Sequence, residues 1–244
     1  MRRLIALLVL LICAPGVARA ADAGDAPATP AELGVRLEKP AGDGVHFSQG
    51  SGVFLGNGLV LTAEHVVKYD PAHSAVTVLV DGVRTPGTIV FDGTKEGIDL
   101  ALVKLGAEVL SVKRLAQTPV HVCEHNPAPS QKVVVAASGA VSDAATIPSP
   151  IASQDGTYIT TGAGGETWTN ILSTGYHPGN SGGGVFDPAH LCLWGILSFE
   201  LGGKLGGNGP AVDFTAFVPA TRIAPFLNEY VRAIAAHPDA ASTK

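Results

Sequence analysis

The chain has 244 residues, 46% of them hydrophobic and 15% charged, with a formal net charge of −5 at pH 7. That apolar content supports a substantial buried core and argues against a disordered protein, while the acidic balance disfavours nucleic acid as a partner. Beyond the first twenty residues no stretch approaches about 18 consecutive apolar residues, so no stable membrane anchor is expected.

Residues 1–20 begin with Arg2 and Arg3, run through an apolar stretch from Leu4 to Ala14 and end in Ala18-Arg19-Ala20, the small-x-small form that signal peptidase accepts. An export signal is expected there, and with it a secreted or periplasmic mature chain. Cys13 follows Leu11-Ile12 rather than the small residues of a lipoprotein signal, and leaves with the segment. Residues 21–33 open with ADAGDAPATPA, which is poor in core formers and reads as a disordered lead-in, placing the start of the fold at Gly34.

From there the chain runs in short apolar or alternating segments punctuated by glycine and proline. Val53 to Leu55 and Leu59 to Thr62 flank Gly56-Asn57-Gly58, a hairpin signal. Val76 to Val80 ends at the Asp81-Gly82 turn, and Thr88 to Phe91 and Leu100 to Leu105 follow. Residues 120–129, ending in Asn126-Pro127-Ala128-Pro129, read as an inter-domain linker. Strands are expected again at Lys132 to Ala137, Tyr158 to Thr161, Thr167 to Leu172, Leu191 to Phe199 and Phe214 to Val218, with a glycine-rich surface loop near 202–209. This is the rhythm of an all-β protein with antiparallel meanders. Only the end departs from it: Ile223, Phe226, Leu227, Tyr230, Val231 and Ile234 form one apolar helical stripe, predicting a helix over 220–236 before a tail at 237–244.

Two readings stand for Cys123. In an exported chain, Cys123 and Cys192 suggest one disulfide. The stretch HVCEH also aligns His121, Cys123 and His125 on one face of an extended segment, as a metal could use, but no fourth ligand is evident nearby. No metal or other cofactor is therefore expected.

The stretch GYHPGNSGGGVFD sets Ser181 among glycines directly before the apolar pair Val185-Phe186, so it is pinned to packed structure rather than free. Glycine there serves either a bare turn or a loop whose N–H groups face a developing negative charge beside an exposed nucleophile. A serine nucleophile needs a histidine base, itself oriented by a carboxylate. His65 in LVLTAEHVV follows a buried-looking strand, whereas His46, His73, His125, His190 and His237 lie in polar or terminal contexts. Asp99 in GIDLALVKL opens an apolar run. Singly, His65 reads equally as a core-edge histidine and Asp99 as a charge that ends a strand.

Taken in order, TAEH, DLALVKL and GNSGG resemble the trypsin/chymotrypsin-like serine proteases, whose pattern is TAAH, DIALL and GDSGG. The fuller segments GSGVFLGNGLVLTAEHVV, NILSTGYHPGNSGGGVFD and TAFVPA are similar to the bacterial high-temperature-requirement (HtrA) branch, and the resemblance covers about Gly34 to Asn228. No PDZ-type domain follows in this sequence, so cage-like assembly is not expected, and the oligomeric state is not specified.

The resemblance implies two six-stranded antiparallel β-barrels of the chymotrypsin fold, at 34–119 and 130–219, with the site between them. It assigns the base to His65, its orienting carboxylate to Asp99, the nucleophile to Ser181 and the oxyanion hole to the N–H groups of Gly179 and Ser181. Ser198 matches the family serine that helps hold the triad aspartate. His177 falls on the rim of the loop. The specificity-pocket floor falls on Gly175, and the strand LSFELGG places Ser198, Phe199 and Glu200 along its wall, which implies a small or medium apolar P1 residue. Asn180 stands where trypsin-type zymogens have an aspartate that pairs with a newly made N-terminus, so no proteolytic activation is expected. The function implied is an exported serine endopeptidase acting on protein or peptide. The alternatives are an idle binding or chaperone-like protein on the same fold, or an esterase using the same triad.

Overall fold

The computed structural model of the chain describes residues 29–40, 47–68, 75–80, 82–106, 119–128, 130–137, 140–145, 170–172, 175–204 and 211–236. The expected export signal, most of the lead-in, the strand expected at 158–161 and the tail lie outside the described residues.

The fold begins before Gly34. Helix α1 (Pro30–Leu33) is started by a capping box: the Thr29 hydroxyl accepts from the Glu32 N–H, and the Glu32 carboxylate accepts from the Thr29 N–H at 2.8 Å. Leu33 then anchors the turn in the core. The lead-in expected to run disordered to residue 33 therefore ends in a docked turn. Composition hid this because the residues that cap a helix are the polar ones that lower mean hydropathy.

Strands β1 (Gly34–Pro40), β2 (Phe47–Gly56), β3 (Leu59–Thr62), β4 (Ala75–Val80), β5 (Val83–Asp92) and β6 (Ala101–Leu105) form a closed barrel in the order β1-β2-β3-β6-β5-β4. Every pairing is antiparallel, and β4 closes the ring by pairing with β1. Asn57 takes φ 53° between Gly56 and Gly58, both also at positive φ, which is the left-handed geometry a tight hairpin requires. Strand β1 was not anticipated, because Arg36, Glu38 and Lys39 make it read as polar. Glu38 and Lys39 are nevertheless buried. Arg36 and Arg84 pair with the Glu38 carboxylate, and the Lys39 ammonium donates to the carbonyls of Val67 and Lys68. Partnered charges of this kind can be buried where lone ones cannot.

Strands β7 (Lys132–Ala137), β8 (Ala140–Ala145), β9 (Ile171–Leu172), β10 (Gly184–Phe186), β11 (Leu193–Lys204) and β12 (Ala211–Pro219) form a second antiparallel sheet in the order β8-β7-β10-β11-β12-β9. The second barrel expected at 130–219 is represented, among the described residues, by this curled six-stranded sheet, a half-barrel that fits the expected fold. Edge strand β9 is only two residues long and pairs with β12 alone, so nothing described joins it to β8. Its central strands pack on both faces. Phe186 and Ile196 share the core of the barrel, while Val133, Val135, Val185, Leu197 and Phe217 form a separate cluster. Strand β11 also runs to Lys204, into the stretch expected as a glycine loop.

The segment expected as a linker is a docked strap. At its start the Val120 N–H donates to Leu55 of the barrel; further on, Cys123 N–H and Leu193 N–H donate to Leu193 and His121 carbonyls on the sheet side. Cys123 is bonded to Cys192, 69 residues away, which removes its sulfur from the metal reading with His121 and His125.

Helix α3 (Ala220–Ala236) spans the range predicted for it. Ile223 and Phe226 are buried, and Leu227 and Tyr230 pack beside them, with the Phe91 ring 5.1 Å from Phe226 and 5.7 Å from Tyr230. Val231, expected on the same stripe, is 61% exposed, so the docked face is narrower than the sequence pattern. No helix among the described residues is long and apolar enough to cross a membrane.

Candidate active site

His65 lies on α2 (Glu64–Val67), one turn of helix set directly after β3. Strand β3 sits between β2 and β6 in the barrel wall, and Val66 and Val67 are buried, which fixes the turn against the barrel. The Lys39 ammonium and the Ser48 hydroxyl take the carbonyls at its C-terminal end. Asp99 comes from the loop between β5 and β6, closed by the Gly93 N–H donating to Leu100 at 2.9 Å. Because Thr62 pairs with Ala101, the end of β3 and the start of β6 share one rim of the barrel. Residues just past those ends meet there.

They meet by a two-pronged contact. The Asp99 Oδ1 accepts the His65 backbone N–H at 2.9 Å, and Oδ2 lies 2.9 Å from His65 Nδ1. Oδ2 also accepts the hydroxyl of Ser198, which is 1% exposed. Ser198 reaches it through a bulge: Leu197 pairs with Phe217 and Phe199 with Ala216, so Ser198 is the extra residue whose side chain the bulge re-aims.

Burial alone would lower the His65 pKa, but the hydrogen bond and charge of Asp99, with Glu64 adding, hold it above the ordinary 6.5. Burial would raise the Asp99 pKa, yet its bonds from His65 and Ser198 hold it below the ordinary 3.8. The raised histidine value means that His65 protonation stabilises the fold below 6.5 and that this contribution fades as pH rises through the folded value. The lowered carboxylate value gives a contribution present above 3.8 and lost as pH falls through its folded value. Stabilisation from the pair is therefore fullest between 3.8 and 6.5. We expect NMR titration of His65 to give a midpoint above 6.5 that moves down in Asp99→Asn. A wild-type midpoint below 6.5 would contradict this balance.

Ser181 is carried on the loop before β10. Its carbonyl accepts the Ser51 N–H at 2.7 Å, and Gly182 N–H donates to Leu197 at 2.7 Å, next to the serine that holds Asp99. The loop is thus tied both to the barrel and to the strand that supports the carboxylate. No hydrogen bond joins the Ser181 hydroxyl to the His65 ring among the described residues, a contact that in such sites commonly tightens only with substrate bound. Gly179 has φ 100°, and a Cβ there would meet nothing within 4 Å. Its glycine is demanded by backbone conformation. Gly182 is demanded by space, because a Cβ would lie 2.0 Å from the Ser51 carbonyl oxygen and 2.3 Å from Thr62 Oγ1.

Gly175 precedes Tyr176, whose N–H donates to Thr215 Oγ1 at 2.8 Å, and Thr215 pairs with Glu200 across β11 and β12. Gly175 and Glu200 therefore belong to one neighbourhood. Glu200 lies 4.0 Å from His177 Nδ1 at an exposed rim. Phe199 is partly buried against the core. The sequence did not single out Ser51, Thr62 or Lys39. The signal for Ser51 was available in Gly50-Ser51-Gly52, a serine set directly between two glycines.

Residues 50–196, more than half of the chain, match a family model described as a trypsin-like peptidase domain. The serine protease Do-like HtrA of Lactobacillus helveticus is 28% identical over 192 residues, 76% of this chain and 44% of that protein. The chain thus spans less than half the length of that relative. Among solved structures, the active form of the Rv3671c protease from M. tuberculosis aligns with a TM-score of 0.56 at 16% identity, covering 91% of this chain and 93% of that one. The MamO protease domain from Magnetospirillum magneticum aligns with a TM-score of 0.52 at 21% identity, covering 81% and 96%. At those identities the two structures speak for a shared fold.

Proposed function

The chain belongs to the trypsin-like peptidase family, and from that premise we propose that it is an exported serine endopeptidase acting on protein or peptide through His65, Asp99 and Ser181. The observation that carries this reading is the two-pronged hold of Asp99 on His65, which presents Nδ1 to the carboxylate and leaves Nε2 as the basic nitrogen. In the proposed cycle His65 Nε2 takes the Ser181 proton as Oγ bonds to the scissile carbonyl carbon. The N–H groups of Gly179 and Ser181 stabilise the resulting oxyanion, and the amine leaves with the proton from His65. Water then loses a proton to His65 as its oxygen bonds to the acyl carbon, and His65 returns that proton to Ser181 Oγ as the ester bond breaks and the acid is released. The Cys123–Cys192 disulfide suits an oxidising compartment outside the cytoplasm.

The test is labelling by a fluorophosphonate probe, followed by digestion of casein. Labelling with casein cleavage is expected. A chain that does neither is the idle binding protein, and one that labels and hydrolyses only small esters is the esterase.

For specificity we propose that Gly175 forms the pocket floor and Glu200 stands at its entrance. No acid occupies residue 175, and Glu200 is exposed and near His177, where a carboxylate in water contributes only about 0 to 1 kcal/mol. Burial of a small or medium apolar side chain contributes about 1.5 to 3 kcal/mol. A peptide-library digest should show cleavage after Val, Ala, Thr or Leu; cuts confined to Lys and Arg would reverse this assignment.

A further inference from the structure

Ser51 on β2 is fully buried, and it grips the Ser181 loop at two points. Its N–H donates to the Ser181 carbonyl at 2.7 Å, and its hydroxyl donates to the Gly179 carbonyl at 2.8 Å, across 128 residues of sequence. Ser51 is itself held by Thr62, whose hydroxyl donates to the Ser51 carbonyl at 2.6 Å. Thr62 ends the strand that leads to His65. A line of hydrogen bonds therefore runs from the strand that carries the base to the loop that carries the nucleophile.

The position of the grip matters more than its number of bonds. Gly179 N–H belongs to the peptide between residues 178 and 179, and Ser181 N–H to the peptide between 180 and 181. The peptide between them, 179–180, sets the angle between those two donors. Ser51 Oγ holds its carbonyl end, and the His177 carbonyl holds its N–H end at 3.1 Å. At Gly179, with φ 100° and open space where a Cβ would be, no side chain resists rotation. Hydrogen bonds at both ends of that peptide hold the pair of donors.

We propose that Ser51 is a positioning residue for the oxyanion hole, its hydroxyl holding the 179–180 peptide so that the N–H groups of Gly179 and Ser181 converge. The proposal rests on the acyl-transfer reading of the site. Ser51→Ala leaves the backbone N–H bond to Ser181 in place and adds no bulk, so the fold should persist. Ser51→Cys, close in size and a weaker donor, gives an intermediate case and a readable variant should the alanine variant unfold.

Donors aimed at developing charge act in the transition state rather than on bound substrate. We expect Ser51→Ala to lower kcat about tenfold or more with KM within about twofold, and Ser51→Cys to fall between it and wild type. Affinity for a peptide boronic acid, whose tetrahedral adduct with Ser181 sets an anionic oxygen in the hole, should drop by the same factor as kcat/KM. The NMR titration midpoint of His65 should not move, since its contact with Asp99 is untouched. A kcat within twofold of wild type in both variants would overturn the proposal, as would a loss confined to KM or a boronate affinity that stays constant while kcat falls. A wild type without turnover would instead remove the acyl-transfer reading and this proposal with it.

Discussion

Ser181→Ala and His65→Ala are each expected to abolish fluorophosphonate labelling and to lower kcat by about four to six orders of magnitude. In the proposed cycle the first removes the oxygen that bonds to the carbonyl carbon or the probe phosphorus. The second, in the same cycle, removes the acceptor for its proton. Because both act in one step, the double variant should be little worse than either single one, a non-additivity that independent binding contacts would not give. Ser181→Ala should cost little stability, because Ser181 is anchored through its backbone carbonyl rather than its hydroxyl, whereas His65→Ala also gives up the pH-dependent stabilisation of its pair with Asp99. In Ser181→Ala a melting temperature near wild type with lost turnover would therefore separate chemistry from folding, and casein cleavage that survives this change would end the reading.

What the sequence disclosed depended on how far apart the deciding atoms lie. The β2–β3 hairpin was legible because Gly56-Asn57-Gly58 carries its own backbone conformation. Helix α3 was legible through its apolar period, except that Val231 faces water because the docked surface around Phe91 is narrower than the stripe. Strand β1 was not, since the partners that make Glu38 and Lys39 burial tolerable come from Arg84 and from Val67 and Lys68. The same holds at the candidate site. Motif order named His65, Asp99 and Ser181, and the resemblance added Ser198; hydrogen bonds join His65, Asp99 and Ser198, while Ser181 is tied through its carbonyl to Ser51. Motif order also named the glycines around Ser181, but the need for Gly182 lies in the barrel, at Ser51 and Thr62. Nor could one sequence show that the segment expected as a linker is stitched to β11 and to the barrel.

Asp99→Asn is expected to lower kcat by about four orders of magnitude while leaving KM and the fold nearly intact. The reason lies in which acceptors can change. Asp99 Oδ1 faces the His65 backbone N–H, a fixed donor that cannot rotate or lose its proton. In the variant, oxygen must therefore remain at that position, and the amide nitrogen must take the place of Oδ2. Ser198 adapts, because a hydroxyl that donated to Oδ2 can turn and accept from an amide. The His65 ring adapts only by changing tautomer: Nδ1, which lies 2.9 Å away, has to become an acceptor, and the ring proton moves to Nε2. Nε2 then carries a proton at the moment it should take one from Ser181. The measurements are single-turnover acylation and the 15N shifts of the His65 ring, which should report a proton on Nδ1 in the wild type and on Nε2 in the variant. A loss of less than about tenfold, with the ring proton still on Nδ1, would show that the carboxylate is not what sets the histidine tautomer.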